Sequence, residues 1–452
     1  MQPLARTVRR WIDRLNATLA PPAGTSLQLN SKVLPPLIGL LALLQVLMPY
    51  DGWLILLTGL GGAWLISYLW ARSLAQHLSV TREMRFGWAQ VGDRIEERFT
   101  LRNTSSFPAL WLQIVDHSTV PDYEAGRATG LGARERTRWR KVATCNRRGV
   151  FTIGPTTLVT SDPFGLYTVR IQDEGSMPFV VMPPVVSLPT IQIAPGGRAG
   201  DGRPRPNAPD RTVSASSVRE YVPGDSLRWI HWRTSARRDG LFVRLFDGAP
   251  AGDWWILLDV NSDVQVGEGE DSTLEHAIII AASLADEALQ LKRSVGLIAH
   301  GESLTWLPPR SDDEQRWRIL RALAELDTGQ RSLAHLLTGV GNRISQYASL
   351  IVVTADPDPA WLQALLPLTQ RGITPTVLQI DPRTFGGEHH ARGVTEMLVD
   401  LGISHYTITR DLLDRPERRP GQKGHWDWRV IGHGQATPGR PMSDLSWRSV
   451  SQ

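Results

Sequence analysis

Two apolar runs without a single charge constrain this chain most: "VLPPLIGLLALLQVLMP" from Val33 to Pro49 and "WLILLTGLGGAWLISYLW" from Trp53 to Trp70. Each approaches the roughly 17 to 25 residues that a helix needs to cross the hydrocarbon core. Between them "PYDG" supplies a turn with Asp51 at its tip. The competing reading is a pair of buried core helices, but such helices usually keep some polar periodicity, which these runs lack. A cleaved signal peptide fits less well, because the first run starts far from Met1 and no small-residue cleavage site follows it. The pattern predicts a transmembrane helical hairpin over residues 33–70.

The flanks orient it. Arg6, Arg9, Arg10, Arg14 and Lys32 precede the first run, Arg72, Arg82 and Arg85 follow the second, and the loop between has no basic residue. Basic flanks stay on the cytoplasmic side. Residues 1–32 then form a basic cytoplasmic N-terminus, and everything beyond about Arg72 is a cytoplasmic body tethered to a bilayer. Tyr50, Trp53, Tyr68 and Trp70 lie near the span ends, where amphipathic rings prefer the headgroup layer. At 42% hydrophobic and 21% charged residues the rest is ordinary folded protein. A net charge of +4 on 452 residues is too thin to argue for nucleic acid, which is not expected as a partner. A lone cysteine, Cys145, excludes an intramolecular disulfide and a cysteine-based zinc site, and reads as a strand residue rather than a nucleophile.

Residues 80–190 alternate short strand-like runs with turn residues and show no convincing helix, the pattern of a β-sandwich-like module. Residues 191–217, rich in Gly, Pro and Arg, read as a flexible linker. From 251 to 412 the apolar runs "WWILLDV", "SVGLIAH", "SLIVVTAD" and "TPTVLQID" alternate with helical segments. That alternation predicts a doubly wound α/β domain, whose ligands bind at the carboxyl ends of its strands. Ser272 with Glu275 and Ser311 with Glu314 match the capping box that opens a helix. Residues 413–452 lose all periodicity and read as a flexible tail.

Between linker and α/β domain, residues 218–250 carry "REYVPGDSLRWIHWRTSARRDGLFVRLFD", Arg219 to Asp247. Pro223-Gly224 suits a type II turn. Asp225 can cap a short helix, and Asp239-Gly240 then turns the chain into a strand. Arg219, Arg228, Arg233, Arg237, Arg238 and Arg244 interleave with Trp229 and Trp232. Such a mixture either grips an anion, a protein or a nucleic acid, or forms a clasp in which guanidinium groups pair with Glu220, Asp225, Asp239 and Asp247. Asp225, His231 and Ser235 are hydrolase residue types, but no nucleophile elbow accompanies them.

This stretch resembles the signature of the bacterial domain of unknown function 58. Arg219, Tyr221, Gly224, Asp225, Arg228, Ile230, Trp232, Ser235, Ala236 and Arg237 fall at the matching positions. The resemblance extends to the two N-terminal spans, to "NRRGVFTIGP" and "SDPFGLY", and to the α/β domain opening with "WWILLDV". It implies a von Willebrand factor type A-like α/β domain, and association with MoxR-type AAA+ ATPases and transglutaminase-like membrane proteins. Type A domains often hold Mg²⁺ through an Asp-x-Ser-x-Ser run. The corresponding run here is Asp259-Val260-Asn261-Ser262-Asp263, in which Asn261 and Asp263 replace both serines, and Asp356 is a further carboxylate candidate. Oxygen donors suit that cation.

The expected function is therefore a membrane-tethered cytoplasmic adaptor without chemistry of its own, working with a MoxR-type ATPase in assembly or maturation of envelope components. The alternative is a hydrolase or ligand-processing enzyme centred on Arg219–Arg244.

Overall fold

The computed structural model describes residues 24–188, 191–196, 215–222, 230–238, 240–246, 253–341, 343–346, 348–412, 429–431, 435–437 and 448–449. The chain is multidomain. It divides into two units, Met1–Val181 with Gly421–Gln452, and Met182–Pro420.

The first unit runs β1 (Thr25–Leu29), α1 (Leu34–Leu47), α2 (Asp51–His77), β2 (Leu78–Met84), β3 (Trp88–Gln90), β4 (Arg94–Asn103), β5 (Ala109–Asp116), β6 (Arg127–Leu131), β7 (Arg136–Thr144), β8 (Gly149–Ile153), β9 (Thr156–Ser161), β10 (Tyr167–Asp173) and β11 (Met177–Met182). Its strands form sheets ordered β1-β10-β9-β5-β6, β3-β11-β8 and β2-β4-β7. Period-two alternation sends Phe99, Leu101, Leu112, Ile114, Leu158 and Phe179 into one core.

Two sequence expectations change here. Residues 25–29, read as part of a basic N-terminus, form β1, which pairs antiparallel with β10 in the register Leu29 to Tyr167. Residues 448–449, read as tail, pair with Glu83 and Met84 of β2, and Arg429–Ile431 pairs with Gln435–Thr437. For β1 and for residues 448–449 the cause is the same. A strand of two to five residues draws its stability from a partner strand far along the chain, and that partner is invisible to local periodicity.

Pro35 and Pro36 open α1, where a missing N–H costs nothing. At 1.5 Å per residue its 14 residues rise about 21 Å, short of the ~30 Å hydrocarbon core. The 27-residue α2 is long and apolar enough to cross a membrane by length and composition. β1 ends just before α1, and β2 starts directly after α2. Both ends of the helical pair therefore belong to the same module.

The second unit runs β12 (Ala215–Glu220), α3 (Trp232–Ser235), β13 (Phe242–Phe246), β14 (Trp254–Leu258), α4 (Thr273–Gln290), β15 (Val295–His300), β16 (Leu304–Arg310), α5 (Asp313–Glu325), α6 (Leu333–Val340), β17 (Ser349–Thr354), α7 (Leu362–Gln370), β18 (Thr374–Ile380), α8 (Arg392–Asp400) and β19 (Ser404–Ile408). A mixed sheet orders them β16-β15-β14-β17-β18-β19. All neighbours are parallel except the β15–β16 pair. Every residue of β14 is buried, as a central parallel strand covered on both faces requires. Ser272 caps α4 by accepting from the Glu275 amide. For α5 the cap is Asp312, which accepts from the Gln315 amide at 2.8 Å, one residue after the expected Ser311.

The segment read as a flexible linker is fastened at its start. The amides of Gln192, Ala194 and Gly196 donate to the hydroxyls of Tyr406, Thr376 and Ser349, at 2.9, 3.0 and 2.8 Å.

Candidate ligand-docking site at the strand ends

From β14 the chain first builds β15 on one side, then returns to build β17 on the other. The carboxyl ends of β14 and β17 thus flank the point where the winding direction reverses, the place where open α/β sheets hold their ligands. Asp259 follows β14, and its amide extends the ladder to the Val353 carbonyl at 2.9 Å. Thr354 ends β17, and Asp356 lies two residues on.

Asp259 is 1% exposed. Its Oδ2 accepts from the Thr354 hydroxyl at 2.7 Å, and its Oδ1 accepts from the Asn261 amide at 3.1 Å. Burial pushes its pKa up to about 6, against the opposing pull of those two donors. Thr354 Oγ1 in turn accepts from the Asp356 amide at 3.0 Å. Asp356 is half-buried, and burial raises its pKa also. Gln379 Nε2 donates to the Asp356 carbonyl at 3.0 Å, while its buried Oε1 has no partner among the described residues. On the other side, Gln265 Nε2 donates to the Asp259 carbonyl at 3.1 Å, and the Thr273 hydroxyl donates to Gln265 Oε1 at 2.7 Å. Gly329 closes the floor. Its amide reaches the Val260 carbonyl at 2.8 Å and its carbonyl accepts from Ser262. A Cβ there would stand 2.6 Å from the Gly301 carbonyl oxygen.

The sequence thus marked Asp259 and Asp356, which the fold brings together, but missed Thr354, Gln265 and Gln379. Their signal was positional: polar residues ending or following otherwise apolar parallel strands. Asn261 and Asp263 are placed differently from the Mg²⁺ expectation. Asn261 Oδ1 faces the Asp263 amide at 3.4 Å, and Asp263 is exposed. Both oxygens of Asp259 already accept hydrogen bonds, and among the described residues no three His, Cys, Asp or Glu side chains converge as a metal cluster. The hydrogen bonds to Asp259 cap the strand end.

In the signature segment, β12 pairs antiparallel with β13, Arg219 opposite Val243. Gly224, Asp225 and Arg228 lie outside the described residues, as does Asp239. Tyr221 donates its amide to the Leu241 carbonyl at 2.7 Å. Of the stretch expected to be helical from Asp225 onward, residues 225–229 lie outside the described residues, and the described part contains the short α3, capped by His231. Trp232, Arg233, Arg237 and Arg238 are exposed, so these three guanidinium groups are not buried against carboxylates. Arg238 lies over the Phe242 ring, 5.8 Å from its centroid. Fastening comes instead from Ile230 and Val243, both buried and bridged to one another, and from Ser235 Oγ, which accepts the Phe242 amide at 2.8 Å. His231 Nδ1 lies 2.6 Å from the Thr234 hydroxyl. The hydrolase residue types His231 and Ser235 are thus each occupied in local turn geometry.

A second polar cluster, in the first unit, went unread. Arg82, counted above as a membrane flank, shares the inward face of β2 with Leu78, Val80 and Met84. Its guanidinium holds Glu97 and Asp116, both at 2.7 Å, and donates to Ser118 Oγ at 3.0 Å. Tyr123 donates to Glu97. Burial by itself would lower the Arg82 pKa, but Glu97, Tyr123 and Asp116 outweigh it and keep the group charged. Cys145 is also buried, which pushes its thiol up to about 12 and leaves it unreactive.

Among curated proteins, the uncharacterized protein YeaD of Bacillus subtilis is 27% identical over 142 residues, 31% of this chain and 34% of its own length. The uncharacterized protein Mb1516 of Mycobacterium bovis is 23% identical over 171 residues, 36% of this chain and 54% of its own. The matched stretch thus spans about a third to a half of these relatives. An aerotolerance-related membrane protein of Bacteroides fragilis superposes over 28% of this chain and 67% of its own, at 18% identity and a TM-score of 0.23, too low to indicate a shared fold. Residues 217–384, which hold the signature hairpin and the Asp259–Thr354–Asp356 cluster alike, match the family model described as protein of unknown function DUF58.

Proposed function

We propose that the protein is a membrane-tethered adaptor whose α/β unit, of the von Willebrand factor type A-like kind, receives a partner protein at the strand-end crevice of Asp259, Thr354 and Asp356. The observation that carries this reading is the chemistry at the switch point of the sheet. Carboxylates gather there, and the hydroxyl between them spends its proton on Asp259. Asp259 and Thr354 are buried there, so the half-buried Asp356 carboxylate is what this strand end presents to a donor side chain of a partner. It offers no activated nucleophile. The helical pair is the tether, with both soluble units on the cytoplasmic side, as the basic flanks Lys32, Arg72 and Arg85 direct. The partner is a MoxR-type AAA+ ATPase, and a transglutaminase-like membrane protein belongs to the same assembly, serving maturation of envelope components.

The test uses the full chain in detergent micelles and a purified MoxR-type ATPase, with and without ATP. Binding is expected, and Asp356→Arg should weaken it at least about tenfold, since an interfacial charge reversal costs more than 1.4 kcal/mol. No binding in either nucleotide state, or equal binding by the variant, overturns the proposal.

A further inference from the structure

The end of the five-stranded sheet from which α1 departs carries an apolar rim. Asn30, just after β1, donates its amide to the Leu166 carbonyl at 2.8 Å and its side chain to the Gly165 carbonyl at 2.9 Å. The turn 162–166 is thereby fixed beside the point where the chain enters α1. Asp162, itself buried, builds that turn: its carboxylate accepts from the amides of Phe164 and Tyr167, at 2.9 and 2.6 Å. Gly165 takes φ +69°, which a glycine adopts without strain. The product is a rigid turn that holds Phe164 60% exposed.

Next to it, a register irregularity between Ala109 and Leu112 turns two consecutive residues outward, where regular alternation would bury one. Leu110 is 57% exposed and Trp111 45%. The Trp111 indole N–H donates to Ser161 Oγ at 2.6 Å, which sets the ring beside the same turn. The level along α2 follows from Tyr68, whose ring meets that of Tyr167 at 5.8 Å. At that height Leu65, Ile66 and Leu69 are exposed as well.

Scattered surface apolar residues mean little, but these adjoin the exposed apolar faces of both helices. Beyond Ser67, α2 buries Ala71, Leu74 and Ala75 against the strands. Its free apolar length therefore runs from Asp51 to about Leu69, a rise of about 27 Å. That matches the ~30 Å hydrocarbon core only if the rim itself lies in the near interface.

We propose that this end of the sheet is a bilayer-docking surface, with Leu110, Trp111 and Phe164 lodged at the boundary between headgroups and acyl chains of a phospholipid membrane. Aromatic side chains prefer that layer. The proposal rests on the membrane reading of α1 and α2, and goes beyond it by assigning the contact to the β-rich module.

The full chain, reconstituted in phosphatidylcholine vesicles with a minor share of phosphatidylglycerol, provides the test. Phe164→Cys, Leu110→Cys and, at the far end of β10, Glu174→Cys would each carry a nitroxide. Cys145, buried and unreactive, does not compete for the label. In protein that floats with the vesicles, the ratio of oxygen to nickel-chelate collisions should be several-fold higher at positions 110 and 164 than at 174. Equal ratios in floating protein overturn the docking surface and leave the tether standing. Labels at 110 and 164 shielded from both reagents would reveal a protein contact there and overturn it too. Protein that fails to float defeats the tether and the docking surface together.

Discussion

Carboxylates are buried in both units, under opposite conditions. In the β-rich unit Glu97 and Asp116 face a guanidinium, and the ring of partners closes on itself through Ser118 and Tyr123. In the α/β unit a hydroxyl and an amide are what steady Asp259 among the described residues, with Asp356 close enough to raise its pKa further. An enclosed cluster built around a guanidinium specifies a core. A cluster that is short of positive charge and sits at a sheet's switch point is poised to receive one from outside. The first is architecture and the second is the candidate site, although both consist of the same residue type.

Removing the cation breaks the contrast most directly. Arg82→Ala leaves Glu97 and Asp116 buried without compensation. Burial already raises the Glu97 pKa despite the Arg82 charge, so little reserve exists. Urea unfolding at neutral pH should show the β-rich unit destabilised by about 3–5 kcal/mol. A loss below about 1 kcal/mol would mean that the cluster is solvated in solution, and the contrast with the strand ends would dissolve.

Neutralising the uncompensated side comes next in size. The Asp259 pKa is raised above its unfolded value near 3.8 to about 6 in the fold. The native state therefore holds the proton more tightly, and stability is greatest below pH 4, falls as pH rises between about 4 and 6, and is level above. The fall amounts to about 3 kcal/mol. Asp259→Asn should abolish that segment of the pH profile of the α/β unit, read by urea midpoints from pH 4 to 7. An unchanged profile would show that Asp259 is solvated or paired with a cation after all.

Much of this was legible in the residues. Strands such as Trp254–Leu258 and Ser349–Thr354 announce themselves as apolar runs, and a parallel sheet follows from their alternation with helices. Arg82 shows what escaped and why. Its place in "LSVTREM" between Val80 and Met84 puts it on the inward face by period two, yet its charge beside an apolar span invited a topological reading. Trp232 and Arg237, prominent by motif spacing, are exposed, and Ile230, an unremarkable aliphatic residue, is what the signature buries. Motif spacing records which positions matter and is silent on which way each side chain points. β1 shows the second kind of limit, because its partner β10 begins 138 residues after its last residue, Leu29 paired with Tyr167.

The smallest change sharpens the comparison at a single hydroxyl. Thr354 is buried and links the two carboxylate residues, donating to Asp259 Oδ2 and accepting the Asp356 amide. Thr354→Val keeps the shape of the side chain and removes both bonds. The expected cost is about 1–2 kcal/mol. It should carry a sign that a packing defect would lack: without the hydroxyl, the charged form of Asp259 loses a donor, so its pKa rises further and the stability fall extends to higher pH. Thr354→Ser, which retains the oxygen but loses the methyl group, should restore the wild-type pH profile while recovering only part of the stability. If valine and serine shift the profile alike, the hydroxyl is not what steadies Asp259, and the strand end is held by its backbone amides alone.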